Sequence, residues 1–165
     1  MAKESSFDVV SVVDIQELDN AFQQAKKEIV QRYDLKNSDS ELDFDKSKLV
    51  FSVSAPSDFV CSQVIDVLSS KLIRRGIELN ALKWGAPIPA SGGKVKKIGN
   101  VINGIDKDTA SVIAKDIRAG HPKVKPLIEG DKVRVVSPSI DALQAVIASL
   151  KEKDYGQPLQ YINYR

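Results

Sequence analysis

A chain of 165 residues with 42% hydrophobic and 28% charged residues suits one ordinary domain or two small ones, and it is too apolar for disorder. No stretch approaches the ~18 apolar residues of a membrane helix, and the start, MAKESSFDVV, has no apolar signal core. The one cysteine, Cys61, has no partner for an internal disulfide, so a reducing, cytoplasmic setting is expected. The formal charge of +2 hides an asymmetry. Residues 1–90 hold 11 Lys and Arg against 14 Asp and Glu, while residues 91–165 hold 13 against 8. The second half is therefore the expected anion binder.

In chain order, the β-branched run Ser6–Val13 reads as a strand. Asp14 with Glu17 is a capping-box pattern, and Leu18, Phe22, Ala25 and Ile29 then fall at helical spacing up to about Tyr33. Alternation through Leu42 and Phe44, then Leu49, Phe51 and Val53, predicts a hairpin with one buried face. Pro56-Ser57 opens a second helix with apolar positions Cys61, Val64, Ile65, Leu68 and Leu72, and Gly76 stops it. Leu79–Trp84 supplies a fourth strand, and the Pro/Gly/Ala-rich segment Gly85–Lys94 reads as an interdomain linker.

After it the order restarts. Lys94–Ile102 is strand-like, Asp106 caps a helix through Ala110, Ile113, Ala114 and Ile117, and Val124–Val136 is a hairpin about Gly130-Asp131. Pro138-Ser139 opens a helix with Leu143, Val146, Ile147 and Leu150, and a strand closes the chain within residues 158–164. The two Pro-Ser-initiated helices align without gaps, an internal duplication. The expected fold is α+β: a tandem of ferredoxin-like (ribonucleoprotein-like) βαββαβ domains, 1–90 and 91–165. Each has a four-stranded antiparallel sheet with two helices on one face.

The other face of each sheet is left open. In the second hairpin, alternation sends Val124, Ile128, Val133 and Val135 inward and Lys123, Lys125, Lys132 and Arg134 outward, with Glu129 at the turn end. Such cations suit phosphate. The first hairpin instead turns Asp39, Glu41, Asp43 and Asp45 outward, with Lys48. The basic residues of the first half lie elsewhere: Arg32 near a helix end, and Lys71, Arg74 and Arg75 in the last turns of another. No aromatics stand on the second domain's central strands, which counts against stacked single-stranded RNA.

Catalysis finds little support. His121, the one histidine, has no nucleophile or carboxylate tied to it by motif, and Cys61 lies on a buried helix stripe. No Cys/His metal spacing occurs. The segment before Val95 departs from a phosphate loop at Ile88 and Val95, and a strand follows it. No enzyme activity and no cofactor or metal is expected.

Several segments together resemble the YajQ family of bacterial nucleotide-binding proteins: "SFDVVS" at Ser6–Ser11, "RYDL" at Arg32–Leu35, "KLIRRGI" at Lys71–Ile77, "GIDKD" at Gly104–Asp108, "GDKVRV" at Gly130–Val135, "LQAVIASL" at Leu143–Leu150 and "QYINYR" at the C-terminus. The resemblance implies paired ribonucleoprotein-like domains whose first strands, 6–13 and 94–102, exchange places. It implies nucleotide or RNA binding, with cyclic di-GMP sensing and contact with a transcription regulator among family members, and no membrane. Its matching cations are Arg32, Lys71, Arg74, Arg75, Lys123, Lys125, Arg134 and Arg165. The chain departs from its relatives at Ser137–Asp141, "SPSID", where they carry a basic "GKSRDD"-like stretch. The leading expectation is a non-catalytic nucleotide-binding protein; the rivals are a structured-RNA binder and a protein-interaction module acting through the acidic first sheet.

Overall fold

A computed structural model describes residues 3–165. The elements are β1 (Ser5–Val10), α1 (Ile15–Gln31), β2 (Glu41–Asp45), β3 (Val50–Ala55), α2 (Asp58–Arg74), β4 (Leu82–Trp84), β5 (Ile88–Pro89), β6 (Val95–Val101), α3 (Lys107–Gly120), β7 (Lys125–Glu129), β8 (Lys132–Ser137), α4 (Ile140–Lys151) and β9 (Gln160–Ile162). All strand pairs are antiparallel.

Each helix begins where a short polar side chain satisfies an otherwise orphaned amide. Asp14 accepts from Glu17 N, Ser57 from Val60 N, Asp106 from Thr109 N and Ser139 from Ala142 N. Gly76, just past α2, has φ +78, the left-handed conformation that favours glycine at a helix stop.

The chain forms two compact units: Val13–Ile102, here unit I, and Asn103–Arg165 together with the chain up to Val12, here unit II. Unit I has the sheet order β2-β3-β6-β4, with β5 also on β6; unit II has β7-β8-β1-β9. The N-terminal strand β1 thus sits in the sheet built otherwise from the end of the chain, and β6 sits between β3 and β4. This mixed α/β arrangement of four helices and antiparallel sheets is compatible with two ferredoxin-like domains.

The core of unit I joins Leu18, Phe22, Ala25 and Ile29 of α1 and Cys61, Val64, Leu68 and Leu72 of α2 to Phe51 and Val53 of β3. Phe44 and Phe51, directly opposite in the register, stack at 4.3 Å between ring centroids. The core of unit II joins Ile113 and Ile117 of α3 and Leu143, Val146 and Leu150 of α4 to Phe7, Val9, Val133 and Val135.

Several expectations are corrected. Of the strand expected over Leu79–Trp84, only Leu82–Trp84 is extended; Leu79–Ala81 is a 3-10 turn that buries Ala81. The segment expected as a linker lies inside unit I, where Ile88 and Pro89 pair with Lys96 and Val95. In α2 the inner stripe takes Val67, while Ile65 is only partly buried. Ile128 does stand on the inner side, opposite buried Val133, but it is 42% exposed beside the turn, whereas Pro126 on the same side is buried.

Candidate functional site: the basic sheet face of unit II

Cross-strand register decides which side chains share the face opposite α3 and α4. Lys125 stands opposite Val136, which stands opposite Ser6. Leu127 stands opposite Arg134, Arg134 opposite Asp8, and Asp8 opposite Ile162. Strand alternation sends Phe7 and Val9 to the other side, where both are fully buried.

Asp8 is the centre of this face. It is 1% exposed. Arg134 Nε donates to its Oδ1 at 3.2 Å, Lys132 Nζ to its Oδ2 at 3.3 Å, and Asn163 Nδ2 to Oδ2 at 2.8 Å. Burial works against ionising this carboxyl. The hydrogen bonds from Asn163, Arg134 and Lys132, with the charge of Lys132, outweigh it and hold the group below the usual carboxylate range.

Asn163 reaches Asp8 because of a bulge. Asp8 pairs with Ile162, and Ser6 exchanges two backbone hydrogen bonds with Arg165 at 3.0 and 2.9 Å. One more residue therefore lies between Ile162 and Arg165 than between Asp8 and Ser6, the signature of a β-bulge. Asn163 takes up the extra length at φ +56, a conformation asparagine tolerates better than most residues. The bulge turns Asn163 to Asp8 and brings Tyr164 within 6.1 Å of the Phe7 ring.

Lys132 and Arg134 keep about a third of their side-chain surface exposed, 30% and 31%. Arg134 Nη1 also approaches Glu129 at 3.7 Å. Lys123 and Lys125 are exposed, and neither takes part in an ion pair among the described residues. The face thus combines two cations clamped by one buried carboxylate with two exposed lysines. Arg165 stands at the strand end, in the row Lys125, Val136, Ser6, Arg165.

The cations of unit I have other surroundings. Lys71, with 13% of its side chain exposed, donates to Glu28 at 2.8 Å and ties α2 to α1. Arg32 binds Asp34 at 2.7 Å and lies 4.0 Å from Glu28, and Arg75 lies 3.7 Å from Glu17. Arg74 is exposed and acts on Glu28 through its charge. The Lys71 hydrogen bond, with those neighbouring charges, outweighs desolvation and lowers the Glu28 carboxyl. Lys71 and Arg75 thus join α2 to α1, while Arg32 pairs with Asp34 just past the end of α1.

The sheet of unit I carries an open groove of about 610 Å³ whose lining includes Asp43, Asp45, Lys48, Lys96 and Ile98. It is not a uniformly acidic surface. Asp45 accepts from Ser47 N, Ser47 Oγ and Lys48 N at 2.8 to 3.1 Å, closing its own turn. Asp39 pairs with Lys94 at 2.9 Å.

The remaining candidates have structural partners. The Cys61 thiol is buried, which pushes its pKa up, and it lies 3.5 Å from Val95 O. His121 caps α3 through its backbone N–H. Among the described residues no group of three His, Cys, Asp or Glu could hold a metal ion, and no helix is long and apolar enough to cross a membrane.

Sequence reading found the cations and missed Asp8 and Asn163. A lone aspartate at an outward strand position looks like a solvated residue until the strand that supplies the neighbouring cations is known.

With this geometry in view, comparison with known proteins gives the family. The profile of the YajQ-like nucleotide-binding proteins matches residues 5–165, and the chain belongs to that family. Similar proteins include a nucleotide-binding protein of Desulfitobacterium hafniense, 46% identical over 165 residues and the full length of both chains. Others with the same name come from Alkaliphilus oremlandii, at 44%, and Chloroherpeton thalassium, at 41%, again over both full lengths.

Proposed function

We propose that this protein binds nucleotides without catalysing their conversion, and that the basic face of unit II holds the phosphates. Lys125, Lys132, Arg134 and Arg165 supply the donors, with Lys123 beside them. The observation that carries this reading is the pair Lys132 and Arg134, oriented by one buried carboxylate yet still part-exposed. Cations held in place lose less freedom when an anion arrives, and charge-assisted hydrogen bonds to phosphate are among the stronger polar contacts. The relatives, named as nucleotide-binding proteins, support the same ligand class. A cytoplasmic setting belongs to this reading and rests on the lone, buried cysteine.

A nucleotide is favoured over single-stranded RNA because the neighbours on this face are aliphatic: Leu127, Val136 and Ile162. The aromatic residues Phe7 and Tyr161 pack with the core instead. Calorimetry of the full chain against mononucleotides, cyclic di-GMP and tRNA tests the proposal. Binding of a nucleotide that Lys125→Glu weakens about tenfold or more supports it. Unchanged affinity in that variant, or binding of tRNA alone, counts against it.

A further inference from the structure

Unit II contains a cleft of about 350 Å³ where the N-terminal half of α4 passes the ends of β1 and the C-terminal segment. Its apolar wall is one stripe of α4, Ile140, Leu143 and Ile147, at the i, i+3, i+7 spacing of a single helix face. Leu143 and Ile147 are nearly buried, whereas Ile140 is 63% exposed, so the stripe runs on past the core it covers. Tyr164 also lines the cleft; its ring packs on Phe7 and remains 62% exposed. Gln144 and Arg165 add a polar amide and a cation.

We infer that this cleft is the seat of the nucleobase. The inference rests on the nucleotide-binding reading above and deepens it by separating where the base goes from where the phosphate goes. An aliphatic wall, a half-exposed aromatic ring and a small number of polar groups are what a planar heteroaromatic ring requires: apolar area and a π-face, with a donor or acceptor at its edge. The volume lies near the lower end of the ~300–1,000 Å³ of small-molecule sites. It suits one base with its sugar and not two stacked nucleotides.

The cleft and the basic face share two residues. Ser6 and Arg165 line the cleft, and they are also the paired residues that end the row begun by Lys125 and Val136. The cleft lies on the α4 side of the sheet and the cations on the other, so the phosphate of a base seated against Ile140 and Tyr164 would round the strand end at Ser6 and Arg165 to reach the basic face. Ile128 and Leu127, exposed on β7, have no ring beside them and lie away from this row's end, so they offer no equivalent seat.

The test compares ATP and GTP with inorganic tripolyphosphate on the full chain, for the wild type and for Ile140→Ala with Tyr164→Ala. Both side chains are mostly exposed, so their truncation leaves the core intact. The wild type should bind at least one nucleotide about tenfold more tightly than tripolyphosphate, the scale of one base–aromatic contact. The double variant should remove that preference and leave tripolyphosphate affinity unchanged. Filling the cleft by Gln144→Trp should have the same effect. An unchanged nucleotide preference in both variants overturns the base seat while leaving the phosphate face intact. Loss of tripolyphosphate binding in Lys125→Glu reports on the phosphate face alone, and absence of any nucleotide binding to the wild type overturns both readings.

Discussion

Asp8 Oδ1 accepts a hydrogen bond from Arg134 Nε at 3.2 Å, joining the first strand of the chain to a strand near its end. This contact links topology to function. The strand that carries Asp8 enters the sheet whose cations Asp8 orients, and there Arg134 stands directly opposite it. The place that β6 holds in the other sheet lies beside β3, which carries no charged residue. Charge pairing thus favours the arrangement in which β1 pairs with β8. The lysine-bearing β6 pairs with β3, and its Lys97 binds Asp58 at 2.9 Å.

Replacing Asp8 by Asn should lower stability by about 2 kcal/mol, the worth of a hydrogen bond to a charged group. Urea unfolding is the measurement, and the midpoint should fall with little change in slope. The pH dependence has a definite sign. Because the folded carboxyl titrates below its unfolded value, its contribution is complete above about pH 5. It disappears as pH falls through the folded value, so the gap between wild type and Asp8→Asn should close in acid and stay open at neutral pH.

Tyr155 makes the opposite prediction. Burial raises its phenol well above the ordinary tyrosine value, and its 2.7 Å hydrogen bond to Asp116 and that residue's charge raise it further. Tyr155→Phe should cost about 1–2 kcal/mol. The contribution is present below pH ~10 and is lost as pH rises through the folded value. Burial raises Tyr161 as well, so ultraviolet titration of the folded protein should show fewer phenols ionising near pH 10 than the four tyrosines of the sequence would give.

Gly99 should resist any side chain. A Cβ built there comes within 2.8 Å of the Trp84 ring, which crosses the β6 backbone opposite it. Gly99→Ala should cost about 1–3 kcal/mol through overpacking. Trp84 is the one tryptophan, so a red-shifted emission in the folded variant reports its displacement directly.

Much of this was legible in the sequence, and the boundary of legibility is physical. Helix starts were readable because a cap is local: Asp14, Ser57, Asp106 and Ser139 each satisfy an amide three residues away. The outward cations Lys125, Lys132 and Arg134 followed from period-two alternation. The expected fourth strand failed at Leu79–Ala81 because burying Ala81 and pairing Ile102 N with Ala81 O required a turn that apolar pattern does not encode. Ile128 is exposed despite its inward position because alternation cannot tell where a hairpin outruns its helices. Asp8 and Asn163 were invisible as a site because their partnership spans nearly the whole chain and depends on a one-residue bulge.

Amide chemical-shift mapping of the nitrogen-15-labelled full chain, titrated with the nucleotide that calorimetry selects, tests the central claim most directly. The account predicts the largest shifts in β7, β8 and the Asn163–Arg165 segment, around Lys125, Lys132 and Arg134. Shifts confined to the helix ends of unit I, at Arg32, Lys71, Arg74 and Arg75, with the unit II sheet unmoved, would contradict it.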